Sequence, residues 1–297
     1  MYATNDPRSR LQATGAPASN DAIAAPDYVE FGVEPPFSSD DSRTWFARGQ
    51  NFVVGYSQVS SGARLERNAH PSEYCVVLTE AGNSLTVYAA DDHVVLDEPG
   101  LVIVPPGDST VVSRDAGTVV RIFDTDAPDV AGAAINAASY VEPHPRVASP
   151  PPATPPLAGH TLRVHRLADH PAEPGRFGAI FRTARLMVNF LDPQIGPRDP
   201  EKLSPHHHDD FEQGSLTLRG SWVHHIRTPW TTRRSAWRDD EHRRVDGASL
   251  TIIPPPTVHT SEAVGSGTNV MLDIFAPPRE DFAAQGWVLN NADYPAS

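Results

Sequence analysis

The sequence predicts an all-β protein of two tandem jelly-roll barrels in one chain, joined by a Pro-rich linker, and three features predict it. Its apolar residues fall in short runs rich in β-branched and aromatic side chains, and most of its 30 prolines stand between those runs. Near the middle, PHPRVASPPPATPPL from Pro143 to Leu157 has a composition that favours extended polyproline II and cannot pack a core. The two halves flanking it look alike: PGLVIVPPGDSTVVS from Pro99 matches DGASLTIIPPPTVHTSE from Asp246, and RIF ending at Phe123 matches DIF ending at Phe275. Upstream, Trp45 to Gly62 lies over Ile180 to Gly196 at similar spacing. For an all-β unit used twice, closing the sheets hides their edges, which favours a double-sheet barrel.

Taken in order, residues 1–27 are rich in Ala, Asn, Asp, Ser and Pro without periodicity and read as a mobile tail. The first domain is expected over 28–142, with strands at 50–58, 73–78, 84–89, 101–105 and 118–123. The linker occupies 143–160. The second domain follows over 161–297, with strands at 180–191, 213–219, 221–227, 249–254 and 269–275 and one short helix near Arg279 to Gln285.

Composition excludes several function classes. A formal charge of −13 and no dense basic cluster argue against nucleic acid as a partner. No apolar run is long enough to span a bilayer as a helix, so a soluble protein without membrane partner is expected. Lys202 is the one lysine, which removes the phosphate-binding G-x-x-x-x-G-K-[ST] loop and argues against Schiff-base chemistry. A lone cysteine, Cys75 in the apolar run YCVVL, offers no internal disulfide and reads as inert core. With no apolar segment near the N-terminus, a cytoplasmic location is expected.

The sharpest chemical signal is SPHHHDDFEQGSLTLRG, Ser204 to Gly220. In an extended chain His206 and His208 point to one face and His207 to the other, so two imidazoles can reach one metal ion. His259 follows the rigid turn of IIPPPTVHT, and three histidines with one carboxylate or amide suit a first-row metal. An exposed His tract is the plain alternative.

These residues resemble the two motifs of the cupin superfamily, and the duplicated unit resembles its two-domain bicupins. His206-x-His208, then Gln213, then Gly220 fits the first motif, and Pro254 to His259 fits the second with Pro256 in place of its glycine. The leading glycine of the first motif is displaced, and Ala263 stands where the second motif ends in Asn. The resemblance implies one divalent metal per chain, Fe(II) favoured and Mn, Ni, Cu or Zn also compatible. His206, His208, Gln213 and His259 would be its ligands. Motif spacing selects Gln213, whereas strand parity with the two histidines selects Glu212; Asp209 and Asp210 look like a turn that resets parity, which favours Gln213. Aligning Glu73 with Gln213 puts Glu66 and Asn68 at the paired histidines and Thr110 at His259, so no metal is expected in the first domain although His70 and Glu73 remain.

His224 and His225 follow on the next strand; one should face the barrel interior as acid or base. Trp222 and Trp230 are candidates to shape a substrate pocket, with Trp237 beside them, although tryptophans in β proteins are mostly core. Arg219 and Arg227, and with them Arg233 and Arg234, are candidates to grip a substrate carboxylate. GSGTN at Gly265 reads as a turn. The expected activity is that of a metal-dependent enzyme on a small anionic or carbonyl-bearing molecule, with Fe(II)-dependent dioxygenation favoured. A non-redox isomerase, lyase or hydrolase is the alternative, and a non-catalytic ligand-binding cupin the third. A homodimer is the one macromolecular assembly left open.

Overall fold

The structure is a computed structural model that describes residues 22–34 and 36–294. Most of the expected N-terminal tail lies outside the described residues. The first half of the chain carries β1 (Asp27–Glu30), β2 (Phe37–Ser38), β3 (Ser42–Arg48), β4 (Phe52–Val59), β5 (Arg64–His70) and β6 (Tyr74–Leu78). It continues with β7 (Leu85–Ala89), β8 (Asp92–Leu96), β9 (Gly100–Val104), β10 (Gly107–Ser113), β11 (Gly117–Asp124) and the short helix α1 (Pro128–Gly132). After the Pro-rich segment come β12 (Arg163–Arg166), β13 (Ala179–Arg182), β14 (Met187–Phe190), β15 (Gln194–Ile195), β16 (Glu212–Arg219) and β17 (Ser221–Arg227). The chain ends with β18 (Glu241–Asp246), β19 (Ser249–Ile253), β20 (Val258–Ala263), β21 (Thr268–Ala276) and α2 (Glu280–Ala284).

Each half is a large sheet facing a small one. In the first, β12-β9-β6-β11-β4-β3-β2 faces β5-β10-β7-β8; in the second, β1-β19-β16-β21-β14-β13, with β15 on β21, faces β18-β17-β20. The fold is all-β and of two jelly-roll units, as the repeat predicts.

The large sheets exchange strands. β1 pairs with β19 of the second half, Tyr28 opposite Thr251, and β12 pairs with β9 of the first half, Val164 opposite Val102. Residues 28–30 therefore belong to the second sheet and 163–166 to the first, across the boundaries drawn from the sequence. Ile23, within the expected tail, is buried. Nor is the Pro-rich segment a free spacer: Val147 is buried, Asn51 donates to Ala148 O at 2.8 Å, and Leu157 N donates to Asp293 O. Glu73 fastens the exchange. Its buried carboxylate accepts from Arg163 of β12 at 2.6 Å, from Tyr294 at 3.0 Å and from the Ala184 N–H at 3.2 Å.

Alternation along the central strands divides the core. In β6, Tyr74, Val76 and Leu78 fill the first barrel, while Cys75 and Val77 point to the second half. In β16, Leu216 points back, and one apolar core runs between the large sheets, with Phe52, Ile103 and Ile122 on one side and Leu250, Ile252 and Ile274 on the other. Cys75 lies in this core, its thiol pushed up by burial. Gly214 is required there, because a Cβ would stand 2.7 Å from the Phe52 ring. The alternate β16 residues Gln213, Ser215 and Thr217 are buried and polar. Apolar side chains fill most of the first barrel, whereas this face of β16 gives the second a polar wall.

Candidate metal centre

The motif histidines converge inside the second barrel. His206 forms an isolated antiparallel bridge with His259, the second residue of β20, each accepting the other's backbone N–H at its carbonyl (3.0 and 2.7 Å). This bridge brings a segment ahead of β16 onto the small sheet. His206, His208 and His259 are all buried, and their candidate ligand nitrogens lie within 4.8 Å of one another. Chain geometry between His208 and β16 explains why parity fails as a guide: residues 207–211 are not extended sheet, and Asp209 and Asp210 form a bend.

Second contacts fix how these rings present their lone pairs. A carbonyl only accepts, so Nδ1 of His206 donates to Ser204 O at 2.9 Å and Nδ1 of His259 to Thr257 O at 3.1 Å. A ring whose Nδ1 donates to a carbonyl has the tautomer in which Nε2 can face an ion, as metal-bound histidines require. On His208 the roles reverse, because Arg279 Nη1 donates to Nδ1 at 3.2 Å and Nε2 donates to Gln213 Oε1 at 2.9 Å. Arg279 itself lies over the Phe211 and Phe282 rings at 4.3 and 4.4 Å.

Gln213 faces this cluster. Its Nε2 donates to Asp273 Oδ1 and Ser215 Oγ, both at 3.0 Å, so Oε1 is the end turned toward the imidazoles, 3.4 Å from His259 Nε2. Glu212 projects from the opposite face of β16, where its Oε2 accepts the Gln50 N–H at 2.5 Å. Burial pushes the Glu212 carboxyl up to about 7. Parity, the argument for Glu212, counted residues through a bend that is not strand. Gly220, the last residue of the motif, has φ +81° and makes the turn into β17; a Cβ there would meet Asn269 Oδ1, which accepts the Ser221 N–H at 3.0 Å.

A cleft of about 360 Å³ leads to His206 and Gln213. Trp222, Ser261 and Asp273 line its inner wall, and Arg176, Arg198 and Lys202 stand around it. Backbone carbonyls hold the two guanidiniums: Arg176 donates to Pro171 O at 2.5 Å and Gly178 O at 3.1 Å, Arg198 to Ser261 O at 3.1 Å and Lys202 O at 2.8 Å. Arg176 also pairs with Glu173 at 3.5 Å and Lys202 with Asp199 at 3.2 Å, and Asp192 and Asp273 line the same cleft, so it presents charges of both signs.

The other sequence candidates divide. His224 points into the barrel, fully buried, with Nδ1 2.9 Å from Ser261 Oγ; burial first, and the neighbouring His259 and His225 after it, lower it to about 3 and keep it neutral. His225 points outward and meets Glu262 and His242 instead, since successive strand residues face opposite sides. Of the pocket candidates only Trp222 lines the cleft. Arg219 sits exposed at a break in the β16–β21 register, and Arg227 is exposed and held by Asp240 at 2.6 Å. Trp230 stacks on Trp237 at 4.6 Å and is 75% exposed, and Arg233 and Arg234 lie on the same exposed loop. The cleft's own cations and Asp273 were missed. The repeat held a signal for Asp273, which stands in DIF where the first half has Arg121 in RIF.

The first barrel shows what fills the equivalent space. Register places Tyr74 opposite Val104 and beside Phe123, as Gln213 stands opposite Ile253 and Phe275. Tyr74 therefore matches Gln213, and Glu73 matches Glu212, one residue away from the sequence alignment. Tyr74 Oη is 2.9 Å from Ser109 Oγ, and His70 packs edge-on against the Tyr74 ring. Among the described residues the one group of three or more candidate ligands is the triad of the second barrel.

No family model matches the chain, and no curated protein matches it in sequence. Solved structures do match in fold. The oxalate decarboxylase of Lactobacillus farciminis, in its formate complex, superposes with a TM-score of 0.57 at 11% identity over 94% of this chain and 90% of that one. The chain has the bicupin fold. An oxalate decarboxylase variant of Bacillus subtilis matches with a TM-score of 0.56 at 12% identity, over 99% and 92% of the two chains. AerE from Microcystis aeruginosa matches with a TM-score of 0.50 at 10% identity, over 88% and 100%. Within the bicupin fold the barrel with the polar wall is the one that carries the His triad.

Proposed function

We propose that this bicupin is a metal-dependent enzyme acting on a small carboxylate, and that the reaction is a lyase-type removal of a carboxyl group. The observation that carries the proposal is the convergence of His206, His208, His259 and Gln213 Oε1 at the inner end of a cleft bordered by Arg176, Arg198 and Lys202. The donor set fits a first-row ion: Nδ1 of His206 and of His259 are each held by a backbone carbonyl, and imidazole donors suit Mn, Fe, Ni, Cu or Zn. With no carboxylate among the four donors, an ion there would keep its full charge and polarise a bound anion.

The chain's own residues then have separable tasks. Arg198 and Arg176 are pre-ordered by carbonyls and orient a substrate carboxylate at the mouth. Asp273 holds the Gln213 amide in the orientation that turns Oε1 to the imidazoles, and of the two carboxyls that line the cleft, Asp192 and Asp273, it is the one bonded to Gln213. Loss of carbon dioxide leaves an electron pair that must take up a proton, and Asp273 is placed to hold and deliver it. His224 acts behind Ser261, as a positioning residue for that wall. The oxalate decarboxylases that share the fold support this class of reaction by analogy alone.

Fe(II)-dependent dioxygenation is the second reading, favoured by a donor set that leaves coordination positions open for substrate and oxygen together. Stoichiometry distinguishes the two. Protein reconstituted with Mn²⁺ or Fe²⁺ and offered a panel of small mono- and dicarboxylates should release carbon dioxide without consuming oxygen mole for mole. Incorporation of labelled oxygen gas into the product would establish the dioxygenase instead, and no turnover with any ion or acid would leave a binding protein.

A further inference from the structure

The outer face of the β18-β17-β20 sheet carries another set of ligating side chains. His225 of β17 and His242 of β18 are direct cross-strand partners, and both face away from the barrel. Their Nδ1 atoms approach to 2.7 Å, while Nε2 of His225 lies 2.9 Å from Glu262 Oε2 on β20. A carboxylate only accepts, so Nε2 of His225 carries the proton and its Nδ1 directs a lone pair at His242. His242 is exposed, and its own Nδ1 proton can pass to Nε2 through water, which leaves two imidazole lone pairs aimed at one point. Asp240, paired with Arg227, lines the same groove of about 150 Å³.

We propose that His225 and His242 bind a second divalent transition-metal ion, of the imidazole-preferring kind represented by Zn²⁺, Ni²⁺ and Cu²⁺. Glu262 behind His225 reproduces the carboxylate–histidine–metal relay, which fixes ring orientation and raises ligand basicity. Metal–nitrogen bonds of about 2.0–2.1 Å set two ligand nitrogens roughly 3 Å apart, so the pair needs to open only slightly, a movement the exposed His242 can make. An ion at this position cross-links β17 to β18. The triad rings lie on the inner face of the sheet, and His259 of β20, which also lines this groove, faces inward to them, so the two ligand sets share no side chain.

Equilibrium dialysis of untagged, metal-stripped protein against Ni²⁺ tests this directly. Wild type should bind in two classes, the tighter one at the triad. His242→Ala and His225→Ala should abolish the weaker class and keep the tighter, and Glu262→Gln should weaken it about 10–100-fold. His206→Ala should do the converse. Circular dichroism checks that each variant is folded, and because His242 is exposed its removal leaves the core intact. A single class in wild type that His242→Ala leaves unchanged, or two classes that survive His242→Ala, overturns the proposal. Should the triad bind nothing, the surface class remains and still disappears with His242→Ala, so the two readings fail separately.

Discussion

Replacing Glu212 by Gln separates the two residues that spacing and parity nominate as the fourth donor. The Glu212 side chain is buried against the first barrel, and burial is the main cause that raises its carboxyl from 4.5 to about 7; the Gln50 N–H and the Arg48 charge pull it down, and Asp27 adds to the rise. A carboxyl whose folded value exceeds its unfolded value is more protonated in the fold than out of it. Its contribution to stability is therefore complete below about pH 4.5 and is lost as pH rises through 7. The distance from 4.5 to about 7 corresponds to about 3 kcal/mol. An amide keeps the Gln50 hydrogen bond and does not ionise. In denaturant titrations of metal-stripped protein between pH 4.5 and 8.5, Glu212→Gln should gain about 3 kcal/mol relative to wild type across the interval, while its metal content after reconstitution stays unchanged. A stability difference that is flat with pH would refute the assigned burial of charge. Loss of metal would return Glu212 to the ligand set.

His206→Ala and His259→Ala should each fall below about a tenth of wild-type metal content by elemental analysis with the far-ultraviolet dichroism unchanged, since the apolar cores do not include these rings. Gln213→Ala should lower metal retention, whereas Glu212→Ala should not. Arg198→Ala should raise KM for the turned-over carboxylate about tenfold or more, the scale of one lost charge-assisted hydrogen bond, and Arg219→Ala and Arg227→Ala should leave it alone. Gly214→Ala should destabilise by about 1–3 kcal/mol through the clash with Phe52, and Phe52→Leu in the same chain should recover part of that loss; additive effects would show that the two residues do not touch.

The duplicated all-β plan was legible because its determinants are local. Apolar runs such as EYCVVL, LVIVP and SLTIIP become the central strands β6, β9 and β19, buried on both faces, and a continuous apolar run is the signature of such strands. Several strands escaped notice, β3 (SRTWFAR) and β8 (DHVVL) among them, and two of the others are strongly polar. β5 (RLERNAH) and β18 (EHRRVD) have an exposed face and lie away from the core between the large sheets, so their strand state is set by pairing rather than by composition. Strand exchange was equally invisible, because DYVE and RVHR are short and the partners that bury them lie in the other half of the chain. The break in the expected strand at 180–191 has a local reason: Thr183 Oγ1 accepts the Arg185 and Leu186 N–H groups and turns the chain.

The candidate site divides along the same line. That His206, His208 and His259 would converge was legible because residue type and spacing are sequence properties, and the position of Gln213 facing them followed from the bend at Asp209 and Asp210. The cleft cations were not, since Arg176 and Arg198 reach it from loops whose paths depend on carbonyls elsewhere. The two barrels make the physical basis of the difference plain. At the position of Asp273 the first barrel has Arg121, which lies over the Phe123 ring and is lowered to about 10 by burial. At the position of Gln213 it has Tyr74, whose ring stacks on Phe123. An aromatic and a long cation fill the volume that an amide and a short carboxylate leave open. The same two positions that give the second barrel a buried amide and a buried carboxylate also leave the space of its cleft, so polar lining and cavity arise together at two positions of the repeat.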